Sequence, residues 1–297
     1  MGWSEFTSCE DGDFIVRSIP DGHVFTVKRE RLEQGSTVFR DMFSCCDSGY
    51  VVDMLDEESG TLDLDESAER LSMLFQLLHN LPDPYHEEPV PKSQRDFTRV
   101  QSTLPKEPAI PFPILPILLS LADKYALSET IVHCVHSHLA AHTSTYPLRV
   151  YGYATSLGLH DVAARASTFL LSPPLSSHPT NKITALPNAQ AYHKLVQLHD
   201  YRIRKLKEVL MGEQIFPHGY GKCPRHAAKT DGIWEERKKN VIAKILAATD
   251  VAAEMAEVQS EVAECEVCTK ATTAAISMLA YKCAKIPKRI DKIPVTV

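Results

Sequence analysis

Residues 12–43 read GDFIVRSIPDGHVFTVKRERLEQGSTVFRDMF, and this stretch holds two strand signals, a turn and a helix start in fixed order. Phe14-Ile15-Val16 is a β-branched and aromatic run, Pro20-Asp21-Gly22 supplies turn chemistry, and Val24-Phe25-Thr26-Val27 follows, so the pair is expected to form a hairpin. Phe25 and Val27 share one face at period two and, with Leu32, can cover the apolar side of a helix. Ser36 is expected as an N-cap. After it, Phe39, Met42 and Phe43 fall at i, i+3 and i+4, one helical face directed at the hairpin.

The order Asp13, Phe25-Thr26-Val27-Lys28-Arg29, Leu32, Ser36, Phe39, Met42, Phe43 resembles the opening of the BTB (POZ) domain. Lys28 departs from it, since many family members carry histidine there. Further matches are Leu62-Asp63-Leu64 as a short strand, Ser67 as a cap, and a helix with Leu71, Leu74, Phe75, Leu78 and Leu81 on one stripe. A later helical segment, LADKYAL at 121–127, is also similar. PLRVYGYATSLGLHDVAARASTFLL at 147–171 resembles the helical extension of fungal BTB proteins, as two short helices broken at Gly158. The resemblance spans about residues 12–171 and implies an α+β domain, a small sheet packed on helices. It also implies protein-binding residues: Asp13 and Arg29 near a dimer groove, with Phe39 and Phe43 on the first helices. The plain alternative for Asp13 and Arg29 is exposure at strand ends.

At 297 residues and 44% hydrophobic content, the chain can bury two ordinary cores. Residues 1–170 carry 13 basic and 25 acidic side chains, net −12, and residues 171–297 carry 19 and 13, net +6, together the −6 of the whole. Such a split favours separate modules over a chain that coats nucleic acid. MGWSEF has neither a charged region nor an apolar core, and Phe6 stands where a myristoylation signal needs Ser or Thr, so no secretory or lipid signal is expected. The most apolar run, 109–122, has three prolines and is too short to span a bilayer. An intracellular protein of nucleus or cytoplasm is expected, its eight cysteines serving as thiols or ligands before disulfides.

Residues from about 82 to 112 are dense in proline and read as an exposed insertion. Residues 172–187, SPPLSSHPTNKITALP, read as a linker, placing an all-α C-terminal domain at 188–297. Its first helix is expected from Asn188 to about Met211, with Arg202, Arg204, Lys205 and Lys207 on a solvated face.

Two pairs in that domain have ligand spacing: Cys223-x-x-His226 and Cys265-x-x-Cys268. Two intervening residues let a tight turn aim both donors at one ion, and Gly219, Gly221 and Pro224 suit such a turn. Together they would form a tetrahedral Cys3His site for structural zinc, with no coordination position left for catalysis. The alternative is four independently packed residues, because the 38 residues between the pairs fit no named zinc finger. Fungal BTB proteins are similar here too, with C-x-x-H, a tryptophan (Trp234 here) and a later C-x-x-C. A thioredoxin-like role for Cys265 and Cys268 lacks the βαβ pattern it requires. His138 and His142 are at i, i+4 but Leu139 stands where a zincin needs Glu. No catalytic residues are assigned.

These readings converge on a non-enzymatic module for protein partners, which self-associates or acts as an adaptor for a cullin scaffold or for transcriptional partners. The competing class is a nucleic-acid or chromatin binder using the basic C-terminal half.

Overall fold

The computed structural model describes residues 3–47, 55–56, 61–86, 110–219 and 221–294. They divide into two compact units, 1–142 and 143–297.

The first unit is α+β. Strands β1 (Phe14–Ser18) and β2 (Val24–Val27) form the expected antiparallel hairpin, in register Val16 with Phe25. Helices α1 (Arg29–Gly35) and α2 (Thr37–Asp47) follow, then β3 (Leu55–Asp56), β4 (Thr61–Leu64) and α3 (Ala68–His79). The sheet runs β2-β1-β4-β3, with β4 parallel to β1. Alternation explains its two faces. Val16, Phe25, Val27, Leu62 and Leu64 point inward, while Arg17 and Asp63 pair on the outside at 2.6 Å.

The Ser36 hydroxyl accepts the Phe39 N–H at 3.2 Å and donates to the Tyr125 carbonyl at 2.6 Å, so the expected cap also ties α2 to the end of α4 (Leu115–Lys124). Phe25, Phe39 and Phe43 are all buried, and the Phe39 ring stacks on Tyr125 at 5.1 Å. Leu71, Leu74, Phe75 and Leu78 are buried as their stripe requires. Leu81 lies past the helix end and is exposed.

Residues 87–109 of the expected insertion lie outside the described residues. Its flanks are anchored on α5 (Glu129–Ala141). The Ser137 hydroxyl accepts the Tyr85 N–H at 2.8 Å, and His138 Nε2 and His142 Nε2 meet the carbonyls of Asp83 and Ile110 at 3.1 and 2.9 Å. These histidines therefore hold neighbouring chain in place.

The second unit is all-α among the described residues. Helices α6 (Pro147–Ser156) and α7 (His160–Thr168) break at Gly158, and α8 (Thr180–Ile183) and the long α9 (Ala189–Gly212) follow. Next come α10 (Ala227–Lys244), α11 (Val251–Met255), α12 (Val258–Glu261) and α13 (Glu266–Ala284). The unit boundary at 142/143 precedes the expected linker, and the physical reason is hydrogen bonding. The Tyr151 hydroxyl of α6 donates to the Ala191 carbonyl of α9, and Ser167 of α7 accepts the Ile290 N–H. The extension helices thus belong to the helical unit. Leu175, inside the supposed linker, is buried.

Arg202 corrects the expected solvated face of α9. It is only 4% exposed, and its guanidinium donates to the carbonyls of Ala247, Ile286 and Pro287 at 2.7–3.0 Å. It clamps three segments together.

Candidate metal centre

Cys223 lies in the loop between α9 and α10, after Gly219 and Gly221, whose φ values of +79° and +70° are open to glycine at little strain. His226 is the N-cap residue of α10, and Cys265 that of α13, with Cys268 in its first turn. Both pairs therefore sit at helix starts, where unpaired backbone amides favour thiolate.

The four donor atoms all lie within 4.8 Å of one another. Cys223 Sγ stands 3.6 Å from His226 Nδ1 and 3.7 Å from Cys265 Sγ. A tetrahedral zinc with Zn–S of about 2.3 Å and Zn–N of about 2.05 Å needs edges of about 3.6 Å from sulfur to nitrogen and about 3.8 Å between sulfurs. The two measured separations match these edges, and the donor set is one zinc favours. The residues present therefore fit the ion. A cavity of about 30 Å³, bordered by His226, Cys265, Cys268, Thr230 and Val262 among others, adjoins the cluster and has room for one small species.

The electrostatics fit the same use. The Cys265 thiol is pushed down to about 6, first by the nearby Cys268 backbone N–H and next by the His226 imidazole. Cys268 is raised, first by burial, while the neighbouring Thr230 hydroxyl acts the other way. Cys223 and Cys268 are buried, Cys265 is half-buried and His226 is exposed. The site is thus inserted into the unit's core from one side, beside Trp234, Met255 and Leu279 of the same buried cluster.

The spacing of the pairs finds these four ligands. It does not find what supports them. Thr230 is 2% exposed in the first turns of α10 and looks like any helical threonine in sequence. Glu213, 5% exposed at the end of α9, accepts Lys282 of α13 at 2.6 Å through its carboxylate and Lys238 of α10 at 3.0 Å through its carbonyl. That one residue locks the three helices that frame the ligands.

Of the expected partner-binding residues, Asp13 is exposed and Arg29 half-buried. Asp13 Oδ1 accepts the Arg29 N–H at 2.8 Å, capping α1, and the Arg29 guanidinium lies over the Phe43 ring at 4.6 Å. Phe39 and Phe43 are 0% and 3% exposed, so both rings are core and a partner meeting this surface touches Asp13 and Arg29 instead. The basic stripe expected on α9 is reduced by the Arg202 clamp and by Lys205 and Arg204 pairing with Glu208.

No protein-family model, curated protein or solved structure matches the chain. No helix among the described residues is long and apolar enough to cross a membrane.

Proposed function

We propose that the chain is a non-enzymatic interaction protein of the cell interior, with a BTB-like first unit that docks other chains and a helical second unit clipped by structural zinc on Cys223, His226, Cys265 and Cys268. The observation that carries this reading is the set of four protein donors within 4.8 Å of one another, two of whose separations match the edges of a zinc tetrahedron. Four protein ligands fill the coordination of zinc and leave no position for water or substrate, so the ion holds structure and does no chemistry on a substrate. Bound zinc supplies positive charge that keeps the thiols deprotonated at neutral pH. The chain's own part is to present two helix starts side by side, with the Cys268 amide favouring the Cys265 thiolate and the Thr230 hydroxyl favouring that of Cys268.

On the first unit, Ile15 and Val24 on the outer sheet face and Ile19 beside it are 37%, 48% and 58% exposed, close to the Arg17–Asp63 pair. Apolar groups around a charged pair favour protein docking over solvent. The BTB resemblance points to self-association, a cullin scaffold, or transcriptional partners as the chains docked.

Metal analysis of the purified protein tests the clip. About one equivalent of zinc is expected, lost in Cys265→Ser, and metal-free protein from a chelator-free preparation would overturn it. Docking is tested by passing the chain over an immobilised cullin amino-terminal region. No retention under conditions that hold a known adaptor removes the cullin partner.

A further inference from the structure

Three of the four donors of the zinc clip are sulfurs, and they differ in depth. Cys265 is half-buried, while Cys223 and Cys268 are 6% and 0% exposed. Cys223 Sγ lies 3.7 Å from Cys265 Sγ, although the two residues are 42 apart in the chain. The backbone at Cys223 belongs to no helix or strand, and it follows Gly219 and Gly221, both at positive φ. Cys268 is held differently. It sits in the first turn of α13, on the face that Thr272, Ala275 and Leu279 bury.

We propose, resting on the zinc reading above, that Cys223 and Cys265 join in a reversible disulfide when the site meets a hydroperoxide, so that a covalent bond replaces the metal as the clip. Depth assigns the roles. Cys265 is the sulfur nearest solvent, and it is a thiolate when it serves as a ligand. It attacks one peroxide oxygen. The S–O bond forms, the O–O bond breaks, and the leaving oxygen takes a proton to become an alcohol, or water from hydrogen peroxide. The Cys223 thiolate, deeper and adjacent, then attacks Cys265 Sγ from the inner side. The S–S bond forms and the S–O bond breaks, and hydroxide departs to the solvent side and takes a second proton. Each sulfur has lost one electron, and the O–O bond has taken both.

The sulfurs must close from 3.7 Å to about 2.05 Å. The loop at Cys223 can supply that movement without unwinding a helix. Two donors are then spent, and His226 with Cys268 is too small a set to retain zinc, so the ion is released. The new bond joins the loop before α10 to the start of α13, the same two places that the metal unites. A Cys265–Cys268 bond would close within one helical turn and leave α10 untied.

The test uses the chain as purified, treated with about one equivalent of hydrogen peroxide. Free thiols are then alkylated and the unreduced digest is mapped by mass, while a chromogenic chelator reads zinc. A peptide pair joined at Cys223 and Cys265 is expected, with about one zinc released per disulfide and full reversal by dithiothreitol plus zinc. Hydrogen exchange supplies a second readout. Helices α10 and α13 should stay protected in the oxidised, zinc-free chain and lose protection in the reduced, chelated one. A Cys265–Cys268 link, sulfinic acid at Cys265, zinc that stays bound through oxidation, or loss of protection in the oxidised chain each overturns the proposal. A chain that holds no zinc before oxidation overturns the clip itself. The same map then still decides the link, because two reduced thiols this close can pair without a metal.

Discussion

At the centre of the first unit stand Phe25, Phe39, Leu71, Leu74 and Phe75, hydrocarbon and rings at 2% exposure or less. At the centre of the second stand Trp234, Met255 and Leu279 together with two thiols, and Thr230, Arg202, Glu213 and Lys238 are buried near them. An apolar interior closes by itself, because each side chain gains from leaving water whatever its neighbour is. A polar and sulfur-bearing interior closes only when each donor and acceptor finds its partner. The first unit should therefore resist loss of any one polar contact. The second should depend on the group that unites its four ligands.

The sharpest way to break this contrast is to remove the metal. Structural zinc contributes on the order of 10 kcal/mol in domains with no other core. The helical unit has some apolar core, so Cys268→Ser, or chelation, is expected to remove about 4 kcal/mol from that unit alone. Hydrogen exchange followed segment by segment checks this. Protection should fall in α10 and α13 and stay unchanged in α3. Equal loss in both units would end the comparison.

The converse is a core truncation. Leu74→Ala removes a fully buried side chain from the first unit and is expected to cost about 3 kcal/mol. Urea unfolding should show the loss there, with metal affinity unchanged. Thr230→Val sharpens the comparison from the other side. It keeps volume and deletes only the hydroxyl that favours the Cys268 thiolate, so zinc affinity should fall roughly tenfold by chelator competition while the helices remain folded.

How far these features could be read from sequence depends on range. The hairpin, the Ser36 cap and the Leu71–Leu78 stripe were legible because each is a pattern within one or two turns of chain. The parallel pairing of Ile15 with Thr61 was not, since nothing local marks a partner 46 residues away. Phe6 was missed for a related reason. It sits in a polar stretch, yet its backbone bonds Ser72 and its ring packs on Phe75 at 5.8 Å. Each ligand pair was legible from its spacing. Their meeting was not, because it depends on α10 and α13 starting side by side. Arg202 was misread because an arginine in a run of basic residues looks solvated until the three carbonyls that bury it are known.

The smallest expected effect concerns acid, and it tests whether the first unit has any polar contact that matters. His79 joins the end of α3 to the start of α1. Its Nε2 accepts the Lys28 N–H at 3.0 Å while Nδ1 lies 3.0 Å from the Phe75 carbonyl. Only a neutral ring with its proton on Nδ1 satisfies both. Its pKa is lowered from 6.5, first by burial and further by Arg31 and Lys28, with the Phe75 carbonyl opposing. A histidine with a lowered folded value takes its proton more readily in the unfolded chain. Stability is therefore unaffected above the unfolded value of about 6.5, declines as pH falls below it, and stops declining below the folded value. Urea midpoints of the first unit between about pH 7.5 and about pH 5 should fall on acidification. His136 and the carboxylates of Asp63 and Glu66, which are also lowered, add slopes of the same sign. The diagnostic is then the difference between wild type and His79→Gln. The variant should lose some stability at pH 7.5 and show a flatter decline, and parallel profiles would mean that this unit ignores the imidazole that bridges α3 and α1.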